Sequence, residues 1–151
     1  MRKAMTPIMA TLLLLSFAVT IGILVMNFAR AQVVLEAECT QNIELAWMQF
    51  DGRDDVCYDV ATDEILFTVE NGVQIEVQRL QATAVGRKAA QSYEIPDSKI
   101  IRAGSFVGQV NYVEFDNGAL RQFKVIPVIE SAGQEHFCTE QALTITSVPE
   151  C

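Results

Sequence analysis

The chain has 151 residues, half of them hydrophobic, and its formal net charge is −8. This length suits one compact domain with an appendage. All 19 acidic residues lie from Glu36 onward, and only Arg2, Lys3 and Arg30 are charged before it. The region after Ala31 therefore has eight cations against 19 acids, which argues against nucleic acid or an anionic membrane surface as its partner.

An apolar segment begins a few residues from the N-terminus. From Met5 to Ala29, 25 residues contain no ionisable side chain, and roughly 20 are enough to cross a bilayer as a helix. Because Arg2 and Lys3 precede this segment, the positive-inside bias places the N-terminus in the cytoplasm. The remainder of the chain is then expected outside the cell.

The helix is expected to continue beyond the membrane. The sequence RAQVVLEAE after the apolar segment contains no Gly or Pro, and most of its residues are compatible with a helix. We therefore predict a hydrophobic transmembrane helix over residues 5–38 and an extracellular head over residues 39–151. No flexible linker is expected between them.

Four cysteines lie in the head, at Cys39, Cys57, Cys138 and Cys151. An even number of cysteines outside the cell predicts two disulfides. Of the three possible pairings, we prefer the local pairs, Cys39 with Cys57 and Cys138 with Cys151, because each closes a short loop at an end of the head. A bond between chains through Cys151 stays open. The lone His136 and the lack of a C-x-x-C motif disfavour zinc.

The head is predicted to be all β. In EILFTVENGVQIEVQ, two alternating apolar runs flank Asn71-Gly72, which is a strong hairpin signal. VNYVEFDNGALRQFKVIPVI predicts a second hairpin with its turn at Asp116-Asn117-Gly118. Pro127 indicates that the returning strand is an edge or is bulged. TAVGRKAAQS is a candidate mobile loop, and Trp47 is expected in the core. Further strands are predicted at Ile43 to Phe50, around Tyr93 to Ile95, around Ile100, and at Leu143 to Val148.

About seven short strands after one long helix predict an α+β fold. The head would be an all-β, immunoglobulin-like sandwich that follows the hydrophobic helix.

The N-terminal junction carries the most specific motif. Arg2-Lys3-Ala4, followed by Met5-Thr6-Pro7 and a long apolar run, resembles the start of archaeal type IV pilin precursors, a family that includes the related archaellins. Such a class III signal peptide is a short basic leader ending in Gly or Ala, with Ser or Thr and then Pro shortly after it.

The resemblance implies that residues 1–4 are a leader, removed by a prepilin peptidase between Ala4 and Met5. It further implies that the membrane-inserted precursor assembles into a homo-oligomeric helical filament outside the cell. The helices would form the filament core and the β heads would face solvent, in a structure that serves adhesion or motility.

Two other readings of the N-terminus remain open. One is a secretory signal cleaved after the small residues Ala29 and Ala31, although the apolar run is longer than the usual 7 to 15 residues. The other is an uncleaved single-span anchor that holds a β-sandwich binding domain at the cell surface.

No enzymatic activity, cofactor or metal site is predicted. His136 has no nucleophile or acid placed near it by sequence, and no phosphate-binding glycine loop is present. The acidic stretch DGRDDVCYDVATDE offers carboxylates for calcium, but its spacing does not match an EF-hand loop. Four cations, Arg87, Lys88, Lys99 and Arg102, flank SYEIPD and suggest a basic patch that meets the acidic stretch of a neighbouring subunit.

Overall fold

The computed structural model describes residues 7–131 and 133–151, which form a long apolar N-terminal helix followed by a mostly antiparallel β region. The chain divides into two compact units, Met1–Glu36 and Ala37–Cys151. The α+β layout agrees with the sequence, whereas the immunoglobulin-like form of the head stays a prediction. The predicted leader and the bond between Ala4 and Met5 lie outside the described residues.

Helix α1 spans Pro7–Asn42. Proline suits the first turn of a helix, because the backbone N–H groups of that turn have no carbonyl partner within the helix. The N–H that proline lacks is therefore not missed there. Besides Pro7, α1 contains one residue that strongly disfavours a helix, Gly22. The helix accordingly runs through RAQVVLEAE and ends four residues beyond the predicted Glu38.

The β region contains short strands and two small helical turns. The strands are β1 (Ala46–Trp47), β2 (Gln49–Phe50), β3 (Arg53–Asp54), β4 (Val56–Asp59), β5 (Glu64–Glu70), β6 (Arg79–Gly86), β7 (Ala90–Ile95), β8 (Ser105–Asn111), β9 (Leu120–Ser131), β10 (Gln134–Phe137) and β11 (Leu143–Ile145). Helix α2 (Glu114–Asn117) follows β8, and a 3₁₀ turn (Thr139–Gln141) follows β10.

The strands form two larger sheets and one separate hairpin, all antiparallel. Strand β5 is the centre of the first sheet: β8 pairs with one of its edges, and β4 and β1 share the other. Strand β9 is the centre of the second sheet, with β6 and then β7 on one side and β10 and β11 on the other. Strands β2 and β3 pair with each other.

One hydrophobic core lies between the two larger sheets. Alternation along β5 buries Ile65, Phe67 and Val69, and alternation along β9 buries Phe123 and Val125 in the same cluster. The rings of Phe67 and Phe123 approach to 5.3 Å between centroids. Trp47 packs against this pair at 6.3 and 6.2 Å, so its predicted place in the core is confirmed.

Both predicted Asn-Gly hairpins are wrong. Strand β5 pairs with β8, and the chain after Asn71 crosses to the other sheet. Asn71 is buried, and its side-chain amide donates to the carbonyls of Ile75 and Ile101. At the second site β8 leads into helix α2, and the buried Asn117 amide donates to the Val113 carbonyl. These asparagines brace crossings between sheets and do not turn a strand back on its neighbour.

The predictions for Pro127 and TAVGRKAAQS also fail. Pro127 is buried in the central strand β9, opposite Leu80 of β6. Strand β11 ends its pairing at Val125 and β10 begins at Val128, so the proline occupies the gap where an amide is not needed for pairing. TAVGRKAAQS is not a loop, because it forms the paired ends of β6 and β7 with a short turn between them.

A glycine in β8 permits the close packing of the central aromatic pair. Gly108 is buried on the inner face, and a Cβ there would collide with the Phe67 ring. We expect Gly108→Ala to lower the free energy of unfolding by about 1 to 3 kcal/mol through overpacking. Denaturant unfolding of the full chain in detergent measures this, with the exposed neighbour changed in Gln109→Ala as control. Equal stability of the two variants would contradict the packing described.

Candidate functional site

The most extensive uncovered apolar surface among the described residues lies on helix α1. Residues Met9–Arg30 are mostly apolar, with Arg30 as the one charged side chain, and none of this segment is buried. Four consecutive leucines, Leu12 to Leu15, are each 57 to 70% exposed. Since successive side chains are about 100° apart on a helix, these four alone cover its whole circumference. The segment is long and apolar enough to cross a membrane, and a signal sequence has the same properties.

Two hydroxyl groups in this segment, those of Ser16 and Thr20, are satisfied by the helix itself. Ser16 Oγ donates to the Leu13 carbonyl at 3.0 Å, and Thr20 Oγ1 donates to the Ser16 carbonyl at 2.7 Å. Neither hydroxyl then needs water, so both tolerate an apolar surrounding. Gly22 has no atom within 4 Å of the position that a Cβ would take. Together with Ala18 it leaves a low surface on which a second helix can approach closely.

A disulfide ties the last turn of α1 to the head. Cys39 bonds to Cys138, with 5.4 Å between the Cα atoms. Both cysteines are buried in a small cluster with Ile43 and Ile129. Because Cys138 follows β10, which pairs with the end of β9, this bond joins the helix end directly to the second sheet.

The second disulfide fastens the C-terminal residues to β4. Cys57 bonds to Cys151, with 5.0 Å between Cα atoms. The Tyr58 amide donates to the Pro149 carbonyl at 2.8 Å, and the Cys151 amide donates to the Tyr58 carbonyl at 3.1 Å. Both disulfides lie within one chain, and they join Cys39 to Cys138 and Cys57 to Cys151. The predicted local pairs are therefore wrong. Each bond spans more than 90 residues, because the strands that approach one another are far apart in sequence.

A tyrosine beside the second disulfide is buried and strongly held. Tyr58 donates its hydroxyl to Asp63 Oδ1 at 2.8 Å, and its ring meets that of Tyr112 edge-on at 6.0 Å. Burial and the hydrogen bond to Asp63 raise the pKa of Tyr58 to about 12. The pKa values of Tyr93 and Tyr112 are raised as well, mainly by burial. All three hydroxyl groups are therefore protonated at neutral pH.

The predicted basic patch does not exist as one surface. Arg87 and Lys88 precede the six-residue strand β7, whereas Lys99 and Arg102 follow it, and such a strand is about 20 Å long. Lys99 pairs with Glu76 at 3.1 Å. The four cations therefore lie as two pairs towards opposite ends of the head.

Arg87 and Lys88 form one surface together with Phe115. We call these three residues the tip. Lys88 Nζ donates to the Phe115 carbonyl at 3.0 Å and lies 5.8 Å from the centre of its ring. Phe115 is 86% exposed. The Lys88 amide also donates to the Asn117 carbonyl at 2.9 Å, so helix α2 holds the turn between β6 and β7 in place.

The acidic stretch contains an element that the sequence predictions missed, which we call the arm: the β2–β3 hairpin, residues 49–54. Asp51 and Gly52 form its turn, both with positive φ, at 50° and 75°. Asp-Gly between two short strands is a hairpin signal, and Asp51-Gly52 carries it in this sequence. Every residue of the arm is exposed, including Phe50 at 64%.

The carboxylates of the acidic stretch serve separate local bonds. Asp54 accepts from Gln49 across the arm, Asp59 accepts from the Ala61 amide, and Asp63 accepts from Tyr58. Within residues 7–131 and 133–151, no three His, Cys, Asp or Glu side chains come together as metal ligands.

No family model matches the chain, and no curated protein or solved structure matches it. The function is therefore inferred from the helix, its attachment and the surfaces of the head.

The two disulfides close loops of nearly equal length, with separations of 99 and 94 residues. Chain entropy predicts that removing either bond lowers the free energy of unfolding by about 4 to 5 kcal/mol. The test variants are Cys39→Ser with Cys138→Ser and, matched to it, Cys57→Ser with Cys151→Ser. Denaturant unfolding measures the loss, and peptide mapping without reductant identifies the bonds. Peptides that join Cys39 to Cys57 would contradict the structure.

Raised tyrosine pKa values predict a loss of stability in alkali. Because the folded pKa of Tyr58 is about 12, above the ordinary 10.0, its contribution is complete below pH 10 and falls as the pH rises from 10 through 12. We expect Tyr58→Phe to flatten this fall and to remove the tyrosine that ionises last in an absorbance titration. Loss of a tyrosine that ionises near pH 10 would contradict the burial described.

Proposed function

We propose that the chain is the structural subunit of an extracellular filament of the type IV pilus kind, in which apolar helices form the core and β heads face solvent. The observation that carries this proposal is helix α1. It is apolar on all sides over Met9–Arg30 and continues without interruption to Asn42, where the Cys39–Cys138 bond joins it to the head. A helix of this kind can exchange lipid for neighbouring helices and keep its head attached throughout.

Removal of the leader would favour the exchange. Arg2 and Lys3 are the only charged side chains before Arg30, and charges resist passage through hydrocarbon. Cleavage between Ala4 and Met5 by a prepilin peptidase would take both away and leave one α-amine. The helix start could then leave the bilayer at a much lower cost in free energy.

The partners and location follow from the same features. The apolar helix indicates insertion in a membrane or a signal sequence, and the two disulfides indicate an extracellular head. We propose that the precursor resides in the membrane with its N-terminus in the cytoplasm, and that the mature chain assembles with copies of itself. The two antiparallel sheets around one core support an immunoglobulin-like sandwich as the form of the head.

A single-span anchor is the second candidate. The internally bonded hydroxyls of Ser16 and Thr20 suit a helix in lipid as well as one in a protein bundle. In this alternative the leader is retained and the head is a binding domain at the cell surface.

The mature N-terminus separates the candidates. Intact mass and N-terminal sequencing of the protein from the cells that produce it are expected to show a start at Met5. A start at Met1 would favour the single-span anchor, and a start at Gln32 would leave a secreted head without its helix.

Replacement of the residue before the cleavage site tests processing directly. Ala4→Asp should abolish surface filaments, because the leaders that a prepilin peptidase removes end in Gly or Ala. The uncut precursor should then accumulate in the membrane. Ala4→Gly is the matched control and should leave filament number unchanged. Normal filaments from Ala4→Asp would mean that this junction has no part in assembly.

A further inference from the structure

The arm stands apart from both sheets. Strands β2 and β3 pair only with each other among the described strands, and an isolated two-stranded hairpin is marginally stable in water. Its base is nevertheless fixed: the Met48 amide donates to the Thr68 carbonyl, and the Asp55 amide donates to the Met48 carbonyl. The arm is thus held at its base by β5 and projects with all six of its residues exposed.

The end of the arm combines an aromatic ring with negative charge. Phe50 lies beside Asp51, and Asp54 lies two residues after the turn residue Gly52. Arg53 is the one cation of the arm. An exposed aromatic side chain on a prepaired hairpin is typical of a contact element, because little conformational entropy is lost when it binds.

The tip offers the complementary chemistry. It presents Phe115 together with the Lys88 ammonium group and Arg87, and Arg121 lies close by in sequence at the start of β9. Glu114 and Asp116 flank Phe115, so the five charges leave an excess of one cation. On a head that is otherwise strongly acidic, this is a surface that an acidic arm can approach without repulsion.

We propose that the arm of one subunit docks on the tip of a second copy of the chain, with Phe50 against Phe115 and Asp54 near Lys88. The two surfaces are different, so the contact is heterologous and can repeat along an open helical assembly. This contact rests on the proposed filament function and adds a head-to-head contact to the bundling of the helices.

Site-specific photo-crosslinking in the full chain on cells tests the contact. A photoreactive phenylalanine analogue in place of Phe50 is expected to yield a covalent dimer whose linked peptide contains residues 87–88 or 114–118. Filaments that form normally but link through other peptides, or not at all, would overturn the contact and leave the filament function standing. The absence of filaments from wild-type cells would overturn both.

Exchange of charges separates the contact from damage to the arm. Asp54→Lys alone and Lys88→Asp alone should each reduce the cross-linked dimer about tenfold, because each places like charges at the interface. The two changes in one chain should restore it. Glu140→Lys makes the same change of net charge as Asp54→Lys at an exposed site outside both surfaces, and it should have no effect. No restoration in the doubly changed chain would contradict the proposed pairing of Asp54 with Lys88.

Discussion

The apolar surface of helix α1 imposes the constraint on which the rest of the protein depends. Over Met9–Arg30 no part of the helix is buried. Transfer of one large apolar side chain out of water is favourable by roughly 1.5 to 3 kcal/mol of free energy. Summed over the leucines, valines, isoleucines and phenylalanines of this segment, covering the helix outweighs any single contact in the head. A surface that is apolar on every side suits lipid, and in the proposed filament it would be covered by the helices of neighbouring subunits.

The head is built so that it does not need the apolar segment for its own stability. Its core lies between two sheets, and it is closed by bonds that join distant parts of the chain, Cys39 to Cys138 and Cys57 to Cys151. In the proposed filament, the helix would change its surroundings from lipid to protein while the head keeps its structure. The Cys39–Cys138 bond also keeps the last turn of the helix fixed to the second sheet.

The sequence predicted the parts that follow from local patterns. The apolar run predicted α1, alternation predicted β5 and β9, and the compartment predicted two disulfides. It did not predict which strands pair, because Asn71 and Asn117 offer the same local signal in a hairpin and in a crossing between sheets. The prediction of the cysteine pairing failed for a related reason. The pairs are set by parts of the chain that only folding brings together, as Cys57 and Cys151 show.

The surfaces of the head illustrate the same limit. Arg87, Lys88, Lys99 and Arg102 looked like one basic patch because they are close in sequence, and strand β7 separates them. The arm was present in the sequence as Asp51-Gly52, but its isolation from both sheets was not. Exposure and pairing of side chains, which decide whether a charge is available to a partner, are properties of the fold.

The most direct test is electron cryomicroscopy of filaments sheared from cells that produce the protein. The account predicts a helical assembly in which the Met9–Arg30 segments pack together along the axis, away from lipid, with the β heads outside and the Cys39–Cys138 bond intact. Recovery of the protein only from the membrane fraction, with each helix surrounded by lipid and no filament formed, would contradict it.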